Sequence, residues 1–216
     1  MLKLAVFDLD GTLIELEHEH LAQRIEITLQ RMSLFCPPQA EILGLIREHK
    51  VNTLFSSAGE RAAFWDNYTE GECPPVRLFD KSLATIEEVV SRGLQTAIAT
   101  ARVTRHDEMR EHLAASGLLR HVSCITTFYG TEWKDKEEQL RGLCKSHGVE
   151  PKASMMVGDS EDDLRSSRNV GFSLRLGKVN GITHPERLLV HRPKKLISCI
   201  SEVPAAVDEY HESLGS

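Results

Sequence analysis

Apolar positions along the chain fall into two rhythms. An unbroken run, Leu4-Ala5-Val6-Phe7, has strand length and gives way to Asp8-Leu9-Asp10-Gly11-Thr12, where Gly-Thr suits a turn better than more strand. From Glu15 to about Lys50 the spacing becomes three-and-four. Leu21, Ile25, Leu29 and Met32, then Ile42, Leu45 and Ile46 beyond Pro37-Pro38, predict helices, and a further one over 60–68 carries Phe64 and Trp65. Gly71 and Pro74-Pro75 close this helical stretch.

From Val76 onward helix and strand alternate. Helices are predicted over 82–92, 104–116 and from Asp135 to Gly148, the last opened by an Asp with a Glu three positions on, as in a capping box. Buried strands are predicted over 94–100, 122–127, 155–157 and 172–176, with a terminal helix over 196–203. Such alternation implies an α/β fold, a Rossmann-like doubly wound and mainly parallel sheet, interrupted by an all-helical insertion. The expected division is a core of 1–14 and 76–216 with a helical domain over 15–75.

Composition narrows the partners. A hydrophobic content of 41% and a charged content of 27% are ordinary for a globular protein, while a formal net charge of −6 argues against a nucleic-acid surface. An anionic substrate would need locally placed cations. The five cysteines, Cys36, Cys73, Cys124, Cys144 and Cys199, lack CxxC spacing and suit reduced thiols. With no run of membrane-spanning length and no leader-like start, a cytoplasmic protein is expected, with no membrane partner. Oligomeric state is not readable.

The chemistry gathers at strand ends. Side chains alternate along a strand, so Asp8 and Asp10 face one crevice, and two converging carboxylates call for a divalent cation. The plainer reading is an Asp-Gly hairpin turn. Against it, Thr100 and Asp159 also end predicted strands, and ligands of parallel sheets bind beyond those ends. Asp159 suits a further metal ligand. Asp163, four positions on across a helix start near Ser160, suits an outer role, holding a metal-bound water or a lysine. Glu161 and Asp162 read as an acidic helix N-terminus. Thr100, with the neighbouring amides of Ala101 and Arg102, could donate to a phosphate, and Lys134 or Lys136 could neutralise it.

Asp8-Leu-Asp10-Gly-Thr12, Thr100 after a buried strand, a lysine, then Gly158-Asp159 with Asp163 resembles the four motifs of the haloacid-dehalogenase-like hydrolases, in the family's order. The resemblance implies Asp8 as nucleophile and Asp10 as acid and base. It implies Mg²⁺ held by Asp8, Asp159 and the Asp10 main-chain carbonyl, and a small phosphorylated metabolite as substrate. Asp10 favours a phosphatase over the dehalogenase branch, which lacks that second Asp. A phosphomutase or a non-catalytic binding member remains the alternative. Two departures stand out: neither lysine precedes a proline, so Lys134 and Lys136 both stay open, and Arg102 sits where many relatives have a small polar residue. Arg102 could touch substrate or form a surface salt bridge. The helical insertion matches the family's cap, in which Glu15, His18, His20, Arg24 and Arg61 are candidate specificity residues and Phe64 and Trp65 read as core.

Overall fold

The computed structural model describes residues 1–15, 17–48, 50–69, 77–102, 106–127, 133–179 and 183–215. Six parallel strands, β1 (Leu4–Phe7), β2 (Gln95–Ala99), β3 (Cys124–Thr126), β4 (Ser154–Gly158), β5 (Leu174–Lys178) and β6 (Lys195–Ile197), lie in the order β3-β2-β1-β4-β5-β6. The order reverses direction at β1, so the crevice beyond its carboxyl end is where such sheets bind ligands.

Alternation along β1 explains why the sheet needs helices on both faces. Ala5 and Phe7 pack with Ile98, Met155 and Val157 against Ile86 and Val89 of α4 (Ser82–Ser91), Met109 and Leu113 of α5 (His106–Ala115), and Val203 and Val207 of α9 (Val203–Glu212). Leu4 and Val6 pack with Ala97 and Met156 on the opposite face, against Leu140 and Leu143 of α6 (Lys136–His147) and Val170 of α7 (Glu161–Val170).

Between β1 and α4 the chain makes α1 (His18–Arg31), α2 (Gln39–Arg47) and α3 (Ala58–Thr69). These pack round a cluster of their own, built from Ala22, Ile25, Leu29, Ile42, Ile46, Phe64 and Tyr68. The chain leaves and rejoins the core at one place. Ile14 forms an antiparallel bridge with Leu78, Glu15 N–H donates to the Arg77 carbonyl at 2.9 Å, and Phe79 N–H donates to Leu13 at 3.0 Å. The expected boundary at Gly71 and Pro74-Pro75 lies outside the described residues, as do Cys73 and the first residues of the helix expected from 104.

One expectation is overturned. Leu196 is in strand β6, not in a helix, and the terminal helix starts only at Val203, with Pro204 in its first turn. The cause is pairing: β5 offers a free edge, on which Lys195 and Leu196 take register with Leu176 and Gly177. Helical spacing then begins at Ile200, Val203 and Val207, all buried. A short helix, α8 (Pro185–Leu189), went unforeseen.

Candidate active site

The end of β1 carries Asp8, whose N–H donates to the Val157 carbonyl at 2.9 Å and so ties the first acidic position to β4. Beyond it the chain turns sharply, with Gly11 at φ 76° and the Leu13 and Ile14 amides both donating to Leu9. A left-handed φ of this kind is open to glycine without steric cost. The turn is therefore not a hairpin between two sheet strands, and Asp8 and Asp10 both line a cavity of about 720 Å³.

Asp8, Asp159 and Asp163 are buried together, and each offers a carboxylate oxygen within 4.8 Å of the others. Lys136 answers them from the first turn of α6, where Asp135 caps the helix by accepting from the Glu138 amide. Its ammonium is 2% exposed and donates to Asp8 Oδ1 at 3.1 Å, to the Ala99 carbonyl at 2.5 Å, and to Asp163 Oδ1 at 2.9 Å. Lys134 is exposed, and its backbone amide donates to Glu138. Of the two lysines left open by sequence, the fold brings only Lys136 to the carboxylates.

At Asp8 the neighbouring carboxylates outweigh the Lys136 ammonium, leaving an excess of negative charge. Burial, reinforced by Asp163 and by Asp159 and Asp10, pushes the Asp8 carboxyl well above its ordinary value, and Lys136 only partly offsets them. For Lys136 burial works the other way, yet Asp163 and Asp8 hold the ammonium well above the usual lysine range. This surplus, on hard oxygen donors lining a cavity, fits a small divalent cation.

The remaining expected residues are distributed around this centre. Thr100, 1% exposed, receives the Arg102 amide on its hydroxyl at 3.0 Å, and Thr12 Oγ1 donates to Asp159 at 3.4 Å. Ser160 caps α7 in a reciprocal box with Asp163, whose Oδ2 accepts from the Ser160 hydroxyl at 2.6 Å. Asp163 thus faces Lys136 with one oxygen and Ser160 with the other. Arg102 does not stay on the surface; it grips Asp10 with Nε and Nη2. Of the helical candidates, Glu15, His18 and Arg24 line the cavity, whereas His20 and Arg61 do not. Phe64 is core as expected, and Trp65 packs against the same cluster while its other side lines the cavity, its indole donating to Asn52 at 2.9 Å.

The sequence model of the haloacid dehalogenase-like hydrolases matches residues 5–175. The chain belongs to this family. A 5′-nucleotidase of Pseudomonas aeruginosa is 27% identical over 201 residues, covering 87% of each chain. A phosphoglycolate phosphatase of Haemophilus influenzae is 28% identical over 192 residues, covering 80% of this chain and 84% of its own. Among solved structures, a haloacid dehalogenase-like hydrolase of Streptococcus pneumoniae shares the fold with a TM-score of 0.74 at 19% identity, covering 95% of this chain and 98% of that one. The hydrolase is accordingly an enzyme of the phosphatase type within that family.

Two polar residues of the hydrolase escaped the sequence reading. Gln139, one helical turn after Lys136, donates to the carbonyls of Thr100 and Thr126, both at 3.1 Å, and so ties the ends of β2 and β3 together. The i to i+3 spacing that puts it on the Lys136 face is the signal that could have found it. Lys178, 4% exposed at the end of β5, donates to the Gly11 carbonyl at 2.9 Å and lies 3.9 Å from the Phe79 ring centre. Burial lowers its proton affinity and Asp159 raises it. Ending the predicted strand at Leu176 concealed it.

Gly158 is required for a steric reason. A Cβ there would lie 2.4 Å from Asp163 Cβ and 2.5 Å from its Cγ. Gly158→Ala should therefore displace Asp163 from Lys136 and lower stability by about 1–3 kcal/mol, the usual cost of overpacking. Chemical denaturation checks the loss, and unchanged stability would show that α7 shifts freely away from β4.

Proposed function

We propose that the hydrolase cleaves a small phosphomonoester, with Asp8 as nucleophile and Asp10 as the group that exchanges the proton. The observation that carries this reading is the Asp8 carboxylate held by the buried Lys136 ammonium in the wall of a cavity that Asp10 also lines. Attack by an Asp8 oxygen forms an oxygen–phosphorus bond as the bond to the leaving alkoxide breaks, and Asp10 gives that alkoxide its proton. Asp10 then takes a proton from water, which cleaves the aspartyl-phosphate and returns the free carboxylate. Lys136 holds Asp8 in place and stands ready for phosphoryl charge, and the Thr100 hydroxyl, which accepts from the Arg102 amide, supplies with the Ala101 amide the donors at the edge of the site.

Asp8, Asp159 and the Asp10 main-chain carbonyl would hold Mg²⁺, which when bound offsets the repulsion between an anionic nucleophile and an anionic phosphate. Substrate choice falls to α1–α3, acting as a cap, because their side chains form the far wall of the cavity. Leu21, Ile25, Val51, Trp65 and Tyr68 make that wall largely apolar. Among the described residues no helix is long and apolar enough to cross a membrane, and the described cysteines are free. A cytoplasmic enzyme with a small-molecule partner fits both.

Inorganic phosphate release from a panel of phosphorylated metabolites tests this directly. Turnover is expected with Mg²⁺ and should fall to background in EDTA, returning when Mg²⁺ is restored. Phosphoryl transfer back to substrate with little free phosphate would indicate a mutase instead. Full activity in EDTA would overturn the metal assignment.

A further inference from the structure

Asp10 is not free to act as it stands. Arg102 Nε lies 3.0 Å from Asp10 Oδ2 and 3.2 Å from Oδ1, and Nη2 donates to Oδ1 as well. The guanidinium thus engages both carboxylate oxygens, and neither side chain is deeply buried: 14% of Arg102 and 21% of Asp10 remain exposed, both in the wall of the cavity. A group that must reach the leaving oxygen and then a water has both of its reactive atoms occupied. We infer that Arg102 is a latch on Asp10, released when the substrate brings a second anionic group, a carboxylate or a phosphate, to the guanidinium.

The inference rests on the reading of Asp10 as the proton-exchanging group and adds the class of substrate that suits it. A guanidinium keeps its charge, so as substrate fills the cavity and displaces water Arg102 still requires an anion opposite it. A leaving group with no charge offers none, and Asp10 stays gripped. A leaving group with its own anion replaces Asp10 at the fork, and the carboxylate can turn toward the scissile bond. The planar fork suits carboxylate and phosphate oxygens alike. Sequence position explains the opportunity, since the Arg102 amide is fixed on the Thr100 hydroxyl and its side chain starts beside the phosphate donors.

The test compares esters that differ by one anionic group: 3-phosphoglycerate with glycerol 3-phosphate, and adenosine 3′,5′-bisphosphate with adenosine 5′-monophosphate. Wild type should favour the doubly anionic member of at least one pair by about 10- to 100-fold in kcat/KM, the worth of one charged hydrogen-bonded contact. The carboxylate pair and the phosphate pair tell the two anion sources apart. In Arg102→Gln the ratio should fall to within about threefold of unity, and Arg102→Lys, which keeps charge but not the fork, should fall between. Calorimetric binding of the same esters to Asp8→Asn, with and without Arg102→Gln, reads the preference without turnover. A binding preference that vanishes with Arg102→Gln, when the wild-type protein releases no phosphate from any ester, would uphold Arg102 as the receptor for a second anion and sink the hydrolytic reading. Phosphate release with no preference in wild type, or a preference that survives Arg102→Gln, would overturn the latch and leave hydrolysis standing.

Discussion

Lys136→Ala should lose both phosphate release and a large part of the folding free energy. The ammonium is the cation between Asp8 and Asp163, at 3.1 and 2.9 Å, and alanine leaves two buried carboxylates facing each other. Breaking a buried pair from one side costs about 3–5 kcal/mol. Because the folded-state affinity of Lys136 for its proton is raised above the ordinary value of 10.5, its contribution is complete below about pH 10.5 and is lost only as pH rises beyond it. At neutral pH the whole effect should therefore be visible in urea denaturation. Phosphate release should fall by about 10²–10³-fold or more, since a preorganised donor is removed from developing charge. Lys134→Ala is the control: an exposed side chain should stay within about 0.5 kcal/mol of wild type. Equal, mild effects from both substitutions would remove Lys136 from the centre of the site.

Asp8→Asn should separate activity from stability in the opposite sense. The amide is a poor nucleophile, so turnover should fall by about 10⁴-fold or more, as when the attacking group of a covalent mechanism is removed. Yet the metal-free protein should become more stable, because one of several crowded buried carboxylates is gone. The pH dependence follows from the raised proton affinity of Asp8. Its unfolded value is near 3.8, and between that and the higher folded value the native state binds more protons than the unfolded chain. Wild-type stability in EDTA is therefore penalised increasingly as pH rises through this window. The advantage of the amide variant should be absent below about pH 3.8 and grow above it. Each kcal/mol gained should raise Tm by roughly 2–4 °C in a chain of this size. A destabilised Asp8→Asn at neutral pH would show that the carboxylate cluster is not under electrostatic strain.

The strand ends were the legible part of the chain. Asp8, Thr100 and Asp159 could be brought together on paper because buried strands are short, apolar and stop at polar residues, and a parallel sheet aligns their ends. Lys136 could not be told from Lys134, since both lie at the start of the same helix and the choice depends on which way its first turn faces. The Asp135 cap fixes that turn, and it was visible as a capping box, but its direction relative to the sheet was not. Arg102 and Lys178 lay further out of reach. Each acts across the fold, on Asp10 and on Gly11, and local spacing carries no sign of a partner 92 or 167 positions away. β6 was misread because Lys195 to Ile197 is too short for periodicity to decide, and only the edge of β5 selects strand. In the helical segment the pattern found the apolar face, but could not show that Trp65, which packs on that face beside Phe64, also borders the cavity.

The joint at Ile14 and Leu78 brings the two ends of the helical segment together on the core. Its outgoing and returning backbones are hydrogen-bonded side by side, and Ser82 Oγ donates to the Leu13 carbonyl at 2.8 Å just beneath them. A chain spliced across this joint by a tight turn would keep the sheet and the Asp8–Lys136 centre on one continuous scaffold. The same splice point would receive helices from another member of the family. If α1–α3 select the substrate as proposed, selectivity would move with them as a cassette while the chemistry stays with the host.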